Sequence, residues 1–126
     1  MMQDSAITDT MTEFLSQLGF ENFSWQGTPL NLSFEHSGSL QIEPTNNGLL
    51  LARLHQINEF DIPDLVPKAL RLVHSDQQLP FTVQTGLKGS SHLAFVTTLS
   101  PKQLTISGLT AALDLLGFLH DQLADR

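Results

Sequence analysis

The sequence contains no cysteine and no tyrosine. Without thiols, disulfide staples, thiolate metal ligands and thiol nucleophiles are excluded, and stability must come from an apolar core. Basic residues are scarce as well: six Lys and Arg stand against thirteen Asp and Glu, a formal charge of −7. That field opposes unselective attraction to phosphate backbones and anionic lipid, so neither nucleic acid nor a membrane is expected as a partner. No run approaches the roughly 18 apolar residues of a membrane span. Met1-Met2-Gln3-Asp4-Ser5 has neither the basic nor the apolar region of an export signal, so a cytoplasmic location is expected. In that setting the glycosylation-like triplets Asn22-Phe23-Ser24 and Asn31-Leu32-Ser33 carry no meaning.

What is present suits one folded domain over residues 1–126: 40% of the residues are apolar and 15% charged. Ile7, Met11, Phe14, Leu15 and Leu18 recur at steps of three and four, which predicts a first helix from Ser5 to a stop at Gly19. The period then changes to two. Leu30, Leu32 and Phe34, then Leu40 and Ile42, alternate with polar residues, and the turn signals Ser37-Gly38 and Thr45-Asn46-Asn47-Gly48 lead into a third strand from Leu49 to Gln56. The Leu49-Leu50-Leu51 run calls for cover on both faces of that strand. Asp61 or Asp64 caps a second helix that runs to about His74, with Pro67 near its start. A second hairpin follows, from Phe81, Val83, Thr85 and Leu87 through a glycine-containing turn to Leu93–Leu99. Ser100-Pro101-Lys102-Gln103 has the form of a capping box, and the region from Thr105 to Ser107 offers a later start for a third helix ending near Leu123. The order α-β-β-β-α-β-β-α predicts an α+β fold with a twisted, mainly antiparallel sheet flanked by helices.

Catalytic and metal-binding patterns are weak. His36, His55, His74, His92 and His120 are spread along the chain without the spacing of a metal site, which favours surface histidines and no metal. Asp61 and Asp64 read as helix caps before they read as an acid–base pair. Ser90-Ser91-His92 sets hydroxyls beside an imidazole in sequence, but neighbouring strand residues point to opposite faces. Gly86-Leu87-Lys88-Gly89 resembles the backbone-clamping loop of a KH domain, yet it lacks the surrounding positive charge and suits a hairpin turn better. Trp25 either covers the core or anchors a partner. Neither a catalytic residue nor a cofactor is assigned, and no enzyme activity is expected.

The last helix stands out. Leu109, Ala112, Leu113, Leu115, Leu116, Phe118, Leu119 and Leu123 span roughly 220° of its circumference, about twice an ordinary core stripe. Such breadth favours a surface for another chain, and the narrower apolar arc of the second helix points the same way.

The element order, acidic charge and lack of a catalytic set resemble the class I chaperones of bacterial type III secretion. More closely, Leu32-Ser33-Phe34-Glu35-His36-Ser37-Gly38-Ser39-Leu40-Gln41-Ile42-Glu43, Val66-Pro67-Lys68-Ala69-Leu70-Arg71-Leu72 and Ser91-His92-Leu93-Ala94-Phe95-Val96 are similar to the SycN-type subunit. The resemblance spans the first helix to the third and lapses between Gln56 and Pro63. It implies a non-enzymatic cytoplasmic chaperone, peripheral at the secretion apparatus, that pairs with a YscB-type chaperone subunit or forms a homodimer when alone. The client implied is the extended N-terminal segment of a YopN-type secreted gatekeeper, whose targeting and control of secretion the pair supports. The alternatives are a homodimeric class I chaperone for an effector toxin and, ranked last, a small α+β enzyme using the histidines or Asp61 and Asp64. Carried over by position, the dimer interface falls on Leu65, Val66, Ala69, Leu70, Val73, Phe81 and Val83. The client-binding region falls on Ile7, Met11, Phe14, Leu15, Leu18, Leu30, Leu32, Phe34, Leu40 and Ile42.

Overall fold

Alternating apolar and polar residues build the centre of the molecule, a five-stranded sheet. The structure, a computed structural model, describes residues 5–20, 25–34, 38–46 and 48–124. Asp4, the Asn22-Phe23-Ser24 triplet, Glu35-His36-Ser37 and Asn47 lie outside the described residues. The strands are β1 (Leu30–Phe34), β2 (Gly38–Thr45), β3 (Gly48–Gln56), β4 (Val83–Lys88) and β5 (His92–Leu99). They lie in the order β1-β2-β3-β5-β4, all neighbours antiparallel. The helices are α1 (Ser5–Gln17), α2 (Ile62–Leu72) and α3 (Ile106–Ala124). The element order and the α+β class therefore match the sequence reading.

Register sorts the side chains into two faces. Leu40, Ile42, Leu49, Leu51, Leu93, Phe95 and Leu99 share one face and join the main core. Against this face lies α3, contacting β3 and β5, with α1 and α2 packed on α3 and α2 also reaching β4. On the other face Leu50, Ala52 and Leu54 of β3 stand beside Val96 and Ala94 of β5. Ala52 and Leu54 are buried there without belonging to the main core. Helices thus cover one side of β3, and on the other side residues of β2, β5 and β4 wall a hollow of about 330 Å³.

The breadth of α3 is used inside the molecule. Leu109, Ala112, Leu113, Leu115, Leu116, Leu119, His120 and Leu123 are all buried, whereas Phe118 is 53% exposed. Setting Phe118 aside narrows the buried arc to roughly 160°, the breadth expected of a helix sandwiched between a sheet and two helices. The expectation that this face serves mainly another chain is corrected: the sheet, α1 and α2 cover it. Its start comes after a separate 3-10 turn at Pro101–Gln103, in which the Gln103 side chain accepts from the Ser100 amide at 2.9 Å. Thr105 then caps α3 by accepting from the Gly108 amide at 3.0 Å.

Helix α2 begins differently from the sequence reading. Asp61 occupies the N-cap position without a side-chain cap bond, and the cap belongs instead to Asn58, which closes a 3-10 turn over Glu59–Asp61. Trp25 resolves to core cover: it is buried, and its indole N–H donates to the Thr28 carbonyl at 3.0 Å.

Candidate functional site

Strand β4 ends the sheet, so its outer edge offers backbone groups that no described strand pairs. Alongside it runs α2, and the two leave an apolar groove of about 250 Å³ lined by Val66, Ala69, Leu70, Thr85, Leu87 and Leu93. Leu70 is 53% exposed and Leu87 42% exposed at its mouth, whereas Ala69 is fully buried on its floor. Around the far end of α2, Val73, Phe81 and Val83 meet in a second hollow of about 260 Å³. Leu65 faces elsewhere, into a hollow shared with Leu123. The seven residues expected at a dimer interface thus divide among three places. Ala69 and Val83 are buried in the chain by itself, each at the base of its hollow. Leu87 went unselected, although it ends the β4 alternation on the same face as Val83 and Thr85.

The opposite edge of the sheet is β1. Its Leu30, Leu32 and Phe34 are partly buried against the core, as are Ile7 of α1 and Leu18 in the turn just after it. Met11, Phe14, Leu15, Leu40 and Ile42 are wholly buried and belong to the main core. Five of the ten expected residues thus keep partial exposure, and three of them lie on β1, whose outer edge no described strand pairs.

Two histidines depart from the surface reading. The His120 ring is 4% exposed, stacks on His55 with centroids 3.8 Å apart, and meets Phe95 edge-on at 4.7 Å. Its Nε2 lies 2.9 Å from the Arg53 carbonyl, so this nitrogen carries the proton and donates. Burial pushes the His120 imidazole down to about 4; the hydrogen bond to the Arg53 carbonyl opposes this, and the charges of His55 and Arg53 add to it. The Arg53 guanidinium sits 5.4 Å from the Phe34 ring centre. Desolvation lowers its proton affinity while Asp121 raises it. Parallel stacking turns the two imidazoles face to face rather than toward a shared ion. Among the described residues no group of three or more metal-ligating side chains converges.

The remaining polar candidates are accessible to water. His74 Nδ1 accepts from the Asp76 amide at 3.1 Å, capping a short 3-10 turn. Ser91 and His92 do meet, with Oγ 2.8 Å from Nδ1, contrary to the argument from strand alternation, because Ser91 lies in the turn just before β5. That contact is at an exposed hairpin end, without the enclosing pocket a nucleophilic site requires. Gly86 to Lys88 continue β4, and Gly89 begins the turn at positive φ. Asp61 and Asp64 share the rim of one hollow, but both are exposed, unlike a sheltered acid–base pair.

Two strand edges unpaired among the described residues, each with partly exposed apolar side chains, suit protein binding. The family model of the type III secretory system chaperone SycN matches residues 6–124. The chain belongs to this chaperone family. Solved structures agree on the fold. The ExoU–SpcU heterodimeric complex of the Pseudomonas aeruginosa type III secretion system contains a chain that aligns with a TM-score of 0.62 at 18% identity, covering 90% of this chain and 93% of that one. Yersinia pestis type III secretion chaperone SycH, solved with a stable fragment of YscM2, aligns at 0.61 and 15% identity over 91% of this chain and 98% of that one. Escherichia coli YbjN aligns at 0.58 and 14% identity over 92% and 86%. No curated protein sequence gives a significant match. For this SycN-family chain no described helix is long and apolar enough to cross a membrane.

Proposed function

We propose that the chain is a non-enzymatic half of a chaperone pair. It docks a YscB-type subunit through the α2–β4 groove and, with it, holds the extended N-terminal segment of a YopN-type gatekeeper near α1 and β1. The carrying observation is the groove itself: Leu70 and Leu87 stay half-exposed across it, beside a strand edge that no described strand pairs. A half-exposed leucine pair gains from burial, and an edge strand gains hydrogen-bond partners, so a second small chaperone satisfies both at once. The β1 edge, where Leu30, Leu32 and Phe34 are partly exposed, has a similar combination and suits an extended client by strand addition. SpcU occurs in a heterodimeric complex with ExoU, and SycH is bound to a YscM2 fragment, which supports reading this fold as one that holds other polypeptides.

The test is co-purification. Leu70→Glu places a charge in the groove mouth and is expected to abolish recovery of the partner subunit while leaving the helix signal in circular dichroism intact. Undiminished pairing of that variant removes the groove as the interface.

A further inference from the structure

The face of the sheet turned away from the helices has its own charge pattern. Register sets Leu50, Ala52 and Leu54 of β3 beside Thr98, Val96 and Ala94 of β5, an apolar floor two strands wide. Small side chains at Ala52 and Ala94 leave the hollow of about 330 Å³ in this floor. Glu43 of β2 and Lys88 of β4 line the hollow from its two sides, and both are exposed. Among the described residues no other Asp, Glu, Lys or Arg of the five strands shares this face. Glu43 is level with Leu50, whereas Lys88 is level with His92 and so with Gln56, six residues further along β3. By strand spacing and rise the two backbone positions are opposite corners about 25 Å apart, and their midpoint falls among Ala52, Leu54, Ala94 and Val96.

A charge of −7 sets copies of the chain against one another, but this face carries one charge of each sign and is exempt from that repulsion. Opposite charges at opposite corners of an apolar hollow make a self-complementary surface. A two-fold axis through the hollow, lying between two facing sheets, sets Glu43 of each copy against Lys88 of the other. We infer that this face docks a second copy of the chain, sheet to sheet, with the strands of the two copies crossing steeply as in orthogonal packing. Facing sheets lie about 10 Å apart, a distance that a lysine and a glutamate span together. The floor is only two strands wide, so the contact is weak and reversible. The helices lie on the opposite face, and this inference depends on neither the pairing nor the client proposed above.

Sedimentation equilibrium of the full chain, together with any partner that co-purifies with it, tests this assignment: the mass should double as concentration rises. Glu43→Lys and Lys88→Glu should each weaken the doubling about tenfold by setting like charges together. An equimolar mixture of the two variants, or both changes in one chain, should restore it, because each charge then meets its opposite again. Leu70→Glu, at the groove on the helix side, should leave the doubling unchanged. Glu43 and Lys88 are exposed, so the fold survives either reversal, and the fluorescence of the buried Trp25 verifies this. A mass that stays constant at every concentration, doubling indifferent to the reversals, or no recovery in the mixture overturns the assignment. Doubling lost in Leu70→Glu but kept in the charge reversals also overturns it by moving the contact to the groove.

Discussion

The neutral imidazole of His120 couples the fold to acidity. Burial holds it near 4 in the folded chain, against an ordinary value of 6.5. Between these values the unfolded chain binds more protons, so stability is intact above about pH 6.5 and declines as the pH falls toward 4. The full loss is about 3 kcal/mol. Urea unfolding at neutral pH and near pH 4.5 should show this slope in the natural chain, and His120→Phe should flatten it while keeping the ring stack. A slope unchanged in that variant would assign the effect to other groups. Sequence spacing could show that the five histidines formed no metal motif, but not that two of them stack. His55 and His120 are brought together only when α3 crosses β3.

At the scale of elements, α3 decides the organisation of the core. Leu116 is wholly buried and Phe118, two residues on, is half-exposed. Leu116→Ala should therefore cost about 2–5 kcal/mol, whereas Phe118→Ser should change stability by no more than about 0.5 kcal/mol. Thermal unfolding of the two variants checks this, and equal losses would mean that the Phe118 side also packs internally. The helical and strand periods were legible from apolar spacing, as was the hairpin order. The destination of each apolar face was not, because periodicity gives the width of a stripe but not the number of neighbours covering it. Similarly, Met11, Phe14, Leu40 and Ile42 alternate or recur just as Ile7, Leu30 and Leu32 do. Burial alone separates the core residues from those left at the rim.

At the scale of the whole molecule, the −7 charge favours solubility, while the two outer strands, unpaired by any described strand, favour the proposed pairing. Open edges also template unwanted pairing, so a partner protects as well as completes the sheet. Affinity purification from the native bacterium, with the intact complex weighed by mass spectrometry, should return a second small chaperone together with one gatekeeper-like chain. Recovery of a symmetric dimer alone, or with a single effector, would move the assignment to the homodimeric alternative and annul the heterodimer reading.

The amino-acid sequence by itself determined the element order, the α+β class and, through its resemblance, the chaperone family, since these follow from periods and segments local in the chain. Tertiary structure decided which apolar residues remain available. Leu70 and Ala69 are neighbours in sequence, yet one stands at a groove mouth and the other is sealed in the core. The difference arises because α2 turns successive side chains by about 100°, so Ala69 points into the core while Leu70 reaches only the groove mouth beside β4.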